Sequence, residues 1–385
     1  MSVTSAKGFK ASGITAGLKK SAKPDLALVV NEGPKFESAV VFTSNRSQAN
    51  PILWSKKAHS ETTAKAIILN SGGANCFTGD FGYETARLTA EKVAQELKLN
   101  ANQVLVCSTG LIGTGDQKFR NTVIDGVSKL AETLSTDGAA AAEAILTTDS
   151  RAKESVYADP AGWTVGGMAK GAGMLAPGLA TMLVVLTTDA DVSKDVLNRS
   201  LSEAVRITFN RLDSDGCMST NDQVTLLSSG KSGLDVTEDT FTRALTQVCL
   251  DLSQQLQADA EGASHDITIR VTGATSEKDA EIVGRSVARN NLFKAAIFGN
   301  DPNWGRVLAA IGTTTAKFDP YDVDVSFNGV RLCSKGAPDR PVSECDLTPR
   351  ETLVLIELNV GSSEATILTN DLTHDYVHEN SAYSS

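Results

Sequence analysis

One threonine, Thr181, stands where a glycine-rich segment meets a run of apolar residues. Residues 163–190 read WTVGGMAKGAGMLAPGLATMLVVLTTDA, and residues 182–186 (MLVVL) have the composition of a buried strand. Gly166, Gly167, Gly171, Gly173 and Gly178 open backbone angles closed to other residues, and Pro177 stiffens the approach. Such a segment can hold one hydroxyl at the mouth of a strand, behind a loop able to store strain. A threonine hydroxyl is a weak nucleophile until a base takes its proton, and an N-terminal threonine carries that base as its own α-amine. The reference pKa of an α-amine is about 7.7–8.0, so modest burial leaves it neutral near physiological pH. Inside an intact chain the same nitrogen is an amide and no base. Attack by Thr181 on the Ala180 carbonyl, followed by hydrolysis of the resulting ester, would therefore switch the catalyst on. It would divide the chain into residues 1–180 and 181–385. Glycine-rich turns beside apolar strands are also common in α/β proteins, where a threonine usually just opens the strand, and the local pattern leaves both readings standing.

Alternating strand-like and helix-like segments must position that hydroxyl. Residues 25–30 (DLALVV) and 38–43 (SAVVFT) read as paired strands joined by a polar turn containing Gly33 and Pro34. Residues 66–69 (AIIL) form a short buried strand, and Ala86, Ala90, Val93, Ala94 and Leu97 share one helix face. Residues 103–107 form another buried strand, ending in the polar turn Ser108-Thr109-Gly110. Beyond Thr181, Leu197, Leu201, Ala204, Val205 and Phe209 face inward from one helix, and Phe241, Ala244, Leu245, Val248 and Leu252 from a second. Residues 265–272 alternate as a half-buried strand, and Ala280, Val283 and Val287 mark a further helix. Val323, Val325 and Phe327 run into Asn328-Gly329, a strong hairpin signal, and residues 353–358 and 365–368 complete a strand-rich end. The expected fold is a layered α/β sandwich of mixed β-sheets flanked by helices, with a smaller C-terminal lobe.

The composition excludes several classes of function. The chain has 385 residues, 41% hydrophobic and 21% charged, as in an ordinary globular protein. A net charge of −10 disfavours nucleic-acid binding and docking on anionic membrane. The first twenty residues contain no apolar run of the secretory kind, and no segment approaches membrane-spanning length. The six cysteines form no CxxC pair, which reads as reduced thiols in a cytoplasm. The one close histidine pair, His374 and His378, lacks the glutamate of a zinc motif, so no metal is expected.

Several long segments occur together and in order. They are CSTGLIG (107–113), LTTD (146–149), WTVGGMAKGAGMLAPGLATML (163–183), DGCMSTND (215–222), ADAEGAS (258–264), FGNDPNWGRVLAAIG (298–312) and ENSAYSS (379–385). Over nearly the whole chain this resembles the ornithine acetyltransferase family, also called glutamate N-acetyltransferases of arginine biosynthesis. The resemblance implies an N-terminal-nucleophile-like sandwich of the aminopeptidase and ornithine acetyltransferase kind. It implies cleavage between Ala180 and Thr181, two chains that stay associated, and pairing of such units into a dimer or larger assembly. It also implies ping-pong transfer of an acetyl group from N2-acetylornithine to glutamate through an acetyl-Thr181 ester, with no cofactor. Whether acetyl-CoA is a second donor is left open.

Site residues follow by matching position. Thr109 and Gly110 would form the oxyanion hole, although locally Ser108-Thr109-Gly110 reads as a strand-ending turn. Thr147 would touch substrate, although Thr-Thr-Asp is an ordinary cap or turn. Lys170 would pair with a substrate carboxylate as a flexible point charge on the glycine loop, although lysines are usually solvated. Glu261 would hold the cationic amine of ornithine, although beside Gly262 it reads equally as a helix-end carboxylate. Asn380 and Ser385 would close the site from a C-terminus that is normally frayed. Asn221, Asp222 and residues 301–306 match the family too, with no step assigned, and Trp163 and Trp304 read as packing residues. A self-cleaving aminopeptidase or amidase of the same fold, and a non-catalytic binding protein, are the alternatives.

Overall fold

A computed structural model describes residues 2–176 and 182–382, so Ala180, Thr181 and Ser385 lie outside the described residues. Three sheets organise the rest. The first has four strands in the order β1 (Phe9–Ile14), β2 (Leu26–Asn31), β4 (Ala66–Ser71) and β5 (Val104–Thr109). Every residue of β2, β4 and β5 is buried, as in strands covered on both faces.

The second sheet has five strands, ordered β3 (Glu37–Phe42), β9 (Gln223–Ser228), β8 (Leu183–Thr188), β7 (Thr164–Lys170) and β6 (Lys153–Ala158). Its two faces go to different cores because side chains alternate along a strand. Met168, Leu183, Val185 and Leu227 join one cluster with Leu28, Ile68 and Val106 of the first sheet. Val184, Leu186, Val224 and Leu226 join the other, with α5 (Lys194–Ile207) and α6 (Glu238–Ala258). Around the first core stand α1 (Asn50–Glu61), α2 (Gly79–Leu97), α3 (Gln117–Glu132) and the short α4 (Ala139–Ala144), contributing residues such as Trp54, Val93 and Val127. The expected layered sandwich is thus present.

The third sheet is the C-terminal lobe, ordered β13 (Ala337–Pro338), β12 (Val330–Ser334), β11 (Asp324–Phe327), β14 (Glu351–Glu357), β10 (Asp266–Ala274) and β15 (Ser363–Asn370). Its core is shared with α7 (Glu277–Ala288), α8 (Asn291–Phe298) and α9 (Trp304–Ile311). Gln257, near the end of α6, donates to Ile267 O at 2.9 Å and Thr369 O at 2.8 Å, fastening lobe to sandwich. A last helix, α10 (His374–Ser381), brings the C-terminus back to that junction.

Two expectations are corrected. The strands at 25–30 and 38–43 do not pair: β2 lies between β1 and β4, whereas β3 pairs with β9. The corner between them crosses from one sheet to the other. There the Asn31 amide group donates to Ser228 O at 2.9 Å, and its carbonyl accepts from Gly33 N–H at 2.8 Å. The glycine-rich stretch is not loop from its start, because residues 164–170 are a buried strand. A side chain at Gly167 would begin 2.8 Å from Leu186 and 3.1 Å from Leu252, so glycine there serves close packing.

Candidate active site

Strand β5 delivers Thr109 and Gly110 to the edge of the sandwich. The Thr109 carbonyl accepts from Gly72 and Gly73 N–H, both at 3.0 Å, which closes the turn behind it. Gly110 has φ +127°, and a Cβ there would lie 2.6 Å from Gly73 N, so no other residue fits. Among the described residues the Gly110 N–H donates to no partner. Thr109 is 3% exposed, and its Oγ1 accepts a hydrogen bond from Lys170 Nζ at 3.2 Å. An ammonium only donates, so the hydroxyl proton must point elsewhere, free for a developing oxyanion. Thr109 and Gly110 line a cavity of about 20 Å³ with Thr220 and Asn221. The Asn221 amide donates to Ala74 O at 2.7 Å and Ser108 O at 2.9 Å, pinning both walls.

Lys170 is no flexible loop charge: it ends β7 and is 1% exposed. Burial pushes its ammonium below the usual lysine range, with Asp149 opposing. Asp149 accepts from Gly171 N–H at 2.6 Å and from Lys153 Nζ at 2.7 Å, and Lys153 also meets Asp259 at 2.5 Å. Burial alone would raise the Asp149 carboxyl, but Lys170 and Lys153 outweigh it and draw it down to about 2. A depressed carboxylate contributes stability above the ordinary carboxylate range and loses it as pH falls towards its folded value. Lys170→Met, which removes the stronger of those two influences, is therefore expected to raise the Asp149 titration and to move the acid loss of stability, expected between about pH 4 and pH 2 in the wild type, to higher pH. Urea midpoints from about pH 7 to about pH 2 check this, and superimposable curves would remove Lys170 from the network.

Glu261 follows α6. Its carboxylate accepts from Thr148 Oγ1 at 2.7 Å and from Asn380 Nδ2 at 3.0 Å, so α10 folds back onto Glu261. Thr147 does something different: it is exposed, and its N–H donates to Asp149 at 3.0 Å. The neighbouring Thr148, to which the sequence assigned no role, is the threonine that meets Glu261. A wider cleft, about 490 Å³, opens beside Glu261 and is lined by Thr148, Asp259, Arg350, His374 and Glu379. It does not contain Thr109 or Gly110. Among the described residues no three His, Cys, Asp or Glu side chains gather as a metal site.

Register fixes where the proposed junction leaves and rejoins the sheet. Lys170 of β7 is the antiparallel partner of Leu183 of β8, and Leu183 is the parallel partner of Gln223 of β9. The connection that contains Ala180 and Thr181 therefore starts and ends beside the Lys170–Thr109 contact. Met182 is held on both sides: its N–H donates to Asp222 Oδ1 at 3.1 Å, and its carbonyl accepts from Gln223 N–H at 3.3 Å. Asp149, Thr148 and Asp222 were not assigned a role from sequence. Thr148 and Asp149 lie inside the LTTD segment, and Asp222 inside DGCMSTND.

Comparison with known proteins gives a consistent result. The ArgJ family model matches residues 10–385. An arginine biosynthesis bifunctional protein ArgJ of Streptomyces avermitilis is 56% identical over 386 residues, covering 100% of both chains. That of Thermobifida fusca is 50% identical with the same coverage. Among solved structures, an arginine biosynthesis bifunctional protein argJ from Bacillus halodurans is 31% identical with a TM-score of 0.50. It covers 52% of this chain and 98% of its own. An ornithine acetyltransferase from Mycobacterium tuberculosis, solved with ornithine, is 44% identical with a TM-score of 0.44, covering 46% of this chain and 94% of its own.

Proposed function

Because the chain belongs to the ArgJ family, we propose that it moves an acetyl group from N2-acetyl-L-ornithine to L-glutamate through an ester on Thr181. It is an acetyltransferase of arginine biosynthesis. Thr181 Oγ bonds to the acetyl carbon while the α-amine of Thr181 takes the hydroxyl proton. The oxyanion is steadied by the Thr109 hydroxyl and the Gly110 N–H. The C–N bond to ornithine breaks, and ornithine departs with the proton. Glutamate then attacks the ester with its own amine, giving N-acetyl-L-glutamate and restoring Thr181. Both partners carry an α-carboxylate beside the reacting nitrogen, so one pocket serves each in turn.

The observation that carries this reading is the Lys170–Thr109 contact, lying where β7 and β8 meet around the junction. Self-cleavage between Ala180 and Thr181 belongs to the same proposal. The second sheet would then be shared, with β3, β6 and β7 from the first fragment and β8 and β9 from the second, so the fragments stay hydrogen-bonded. The Bacillus halodurans chain, nearly all of which aligns to about half of this one, has the length such a break would leave. The six cysteines are free thiols, in keeping with a cytoplasmic protein.

In the substrate complex Glu261, Thr148 and Asn380 would receive the ornithine side-chain ammonium. Loss of a hydrogen bond to a charged group costs about 1.5–3 kcal/mol. Glu261→Ala is therefore expected to raise the KM for acetylornithine roughly tenfold to a hundredfold, and an unchanged KM would remove Glu261 from the pocket. The overall reading is tested by supplying acetylornithine with and without glutamate. Transfer yields N-acetylglutamate, whereas acetate as sole product would favour the amidase alternative.

A further inference from the structure

Asp222 is unused by the mechanism above, yet its surroundings are unusual. It is 0% exposed, on the turn leading into β9. One oxygen, Oδ1, accepts the Met182 N–H at 3.1 Å. The other, Oδ2, is buried and makes no well-formed hydrogen bond among the described residues. A bare oxygen on a buried carboxylate is costly, and a neutral carboxylic acid is the form that suits the site. Burial pushes this carboxyl well above the usual carboxylate range, while Ser219, the Met182 N–H and the Lys170 ammonium pull the other way without cancelling it. The thiol of Cys217, in the same 215–222 segment, is another titratable group beside this carboxyl. Both the bare oxygen and the burial favour the neutral acid. Met182, the residue that Oδ1 holds, directly follows Thr181 in the chain.

We propose that Asp222 drives the opening of the Ala180–Thr181 bond: Oδ1 fixes the peptide that follows Thr181, and the carboxyl hands its proton to the departing nitrogen. The inference rests on the self-cleavage proposed above. An amide nitrogen leaves poorly as an anion and needs an acid. Thr181 Oγ bonds to the Ala180 carbonyl carbon, the C–N bond breaks, and the nitrogen takes the Asp222 proton to become the α-amine. The proton lost by the Thr181 hydroxyl restores the carboxyl, so the step consumes none. Water then adds to the ester, its oxygen staying on Ala180 as the new carboxylate, and Thr181 regains its hydroxyl.

The test follows freshly translated full-length chain on denaturing gels over time, for wild type, Asp222→Asn and Asp222→Glu. Asparagine keeps the acceptor for the Met182 N–H and removes the acid. Conversion of the 40.5 kDa band into two is expected to slow by about 100-fold or more in Asp222→Asn and to recover in part in Asp222→Glu. The wild-type rate is expected to fall as pH rises through the elevated titration of Asp222, and Asp222→Asn to lose that dependence. Thermal midpoints separate chemistry from folding. A carboxyl held neutral in the fold is ionised in the unfolded chain at neutral pH, so Asp222 lowers stability there and Asp222→Asn is expected to melt no lower than wild type. Wild-type conversion rates in Asp222→Asn overturn the inference, as does slow conversion with a lowered midpoint and an unchanged pH profile. A wild type that stays as one band overturns the self-cleavage reading instead, which keeps the two failures distinct.

Discussion

Thr181→Ala is expected to leave a single 40.5 kDa chain and to lower acetyl transfer by on the order of 10⁴-fold or more. Two defects coincide in this variant. Without Oγ nothing attacks the Ala180 carbonyl, so the bond stays closed. Without the break, the nitrogen of residue 181 remains an amide and supplies no base. Thr181→Ser separates this from a folding failure, because serine restores a hydroxyl and with it both cleavage and transfer. Two bands and near-normal transfer from Thr181→Ala would put the nucleophile elsewhere. The sheet should survive the substitution, since Met182 is clamped by Asp222 and Gln223 and β8 pairs on both sides.

Thr109→Val has the next largest expected effect, a fall in turnover of about 10²–10³-fold with little change in KM. Valine keeps the shape and the β-branch, and the Thr109 carbonyl still accepts from Gly72 and Gly73 N–H, so the turn persists. What disappears is Oγ1. Its proton is the one the geometry leaves available to an oxyanion, and losing such a donor costs about 2.7–4 kcal/mol of barrier lowering. Oγ1 is also the acceptor for the buried Lys170 ammonium. Stability is therefore expected to fall as well, by about 1–3 kcal/mol, read as a lower denaturant midpoint. Thr109→Ser should recover most of both. Turnover near wild type in Thr109→Val would dismiss the oxyanion role.

The alternation of strands and helices was legible where period and turn chemistry agreed. The Asn328-Gly329 hairpin, the inward face of α6 and the apolar run of β8 all lie where their patterns put them. Pairing was not legible. β2 and β3 are neighbours in sequence and lie in different sheets, because partners are chosen by burial over long range and the corner at Asn31 carries no local sign of that. The glycines of β7 look like loop and are the places where Leu186 and Leu252 press on the strand. Helix α3 shows the reverse: Phe119, Val123, Val127 and Leu130 repeat at helical spacing and went unread.

The site divides in the same way. Resemblance brought out Thr109, Gly110, Lys170, Glu261 and Asn380, although each has a blander local reading. The described residues join them in two linked clusters. Burial of Lys170 could not be read from its residue type, which is normally exposed. Asp149 and Asp222 also matter through partners far away in the chain, at Gly171 and Met182, and no local window contains those contacts.

Intact-mass spectrometry of the purified protein, before and after brief incubation with acetylornithine, bears most directly on the central claim. The account predicts two chains, one beginning at Thr181, and an added acetyl group on that fragment alone after incubation. A single active chain of 40.5 kDa, or an acetyl group carried by residues 1–180, would contradict it.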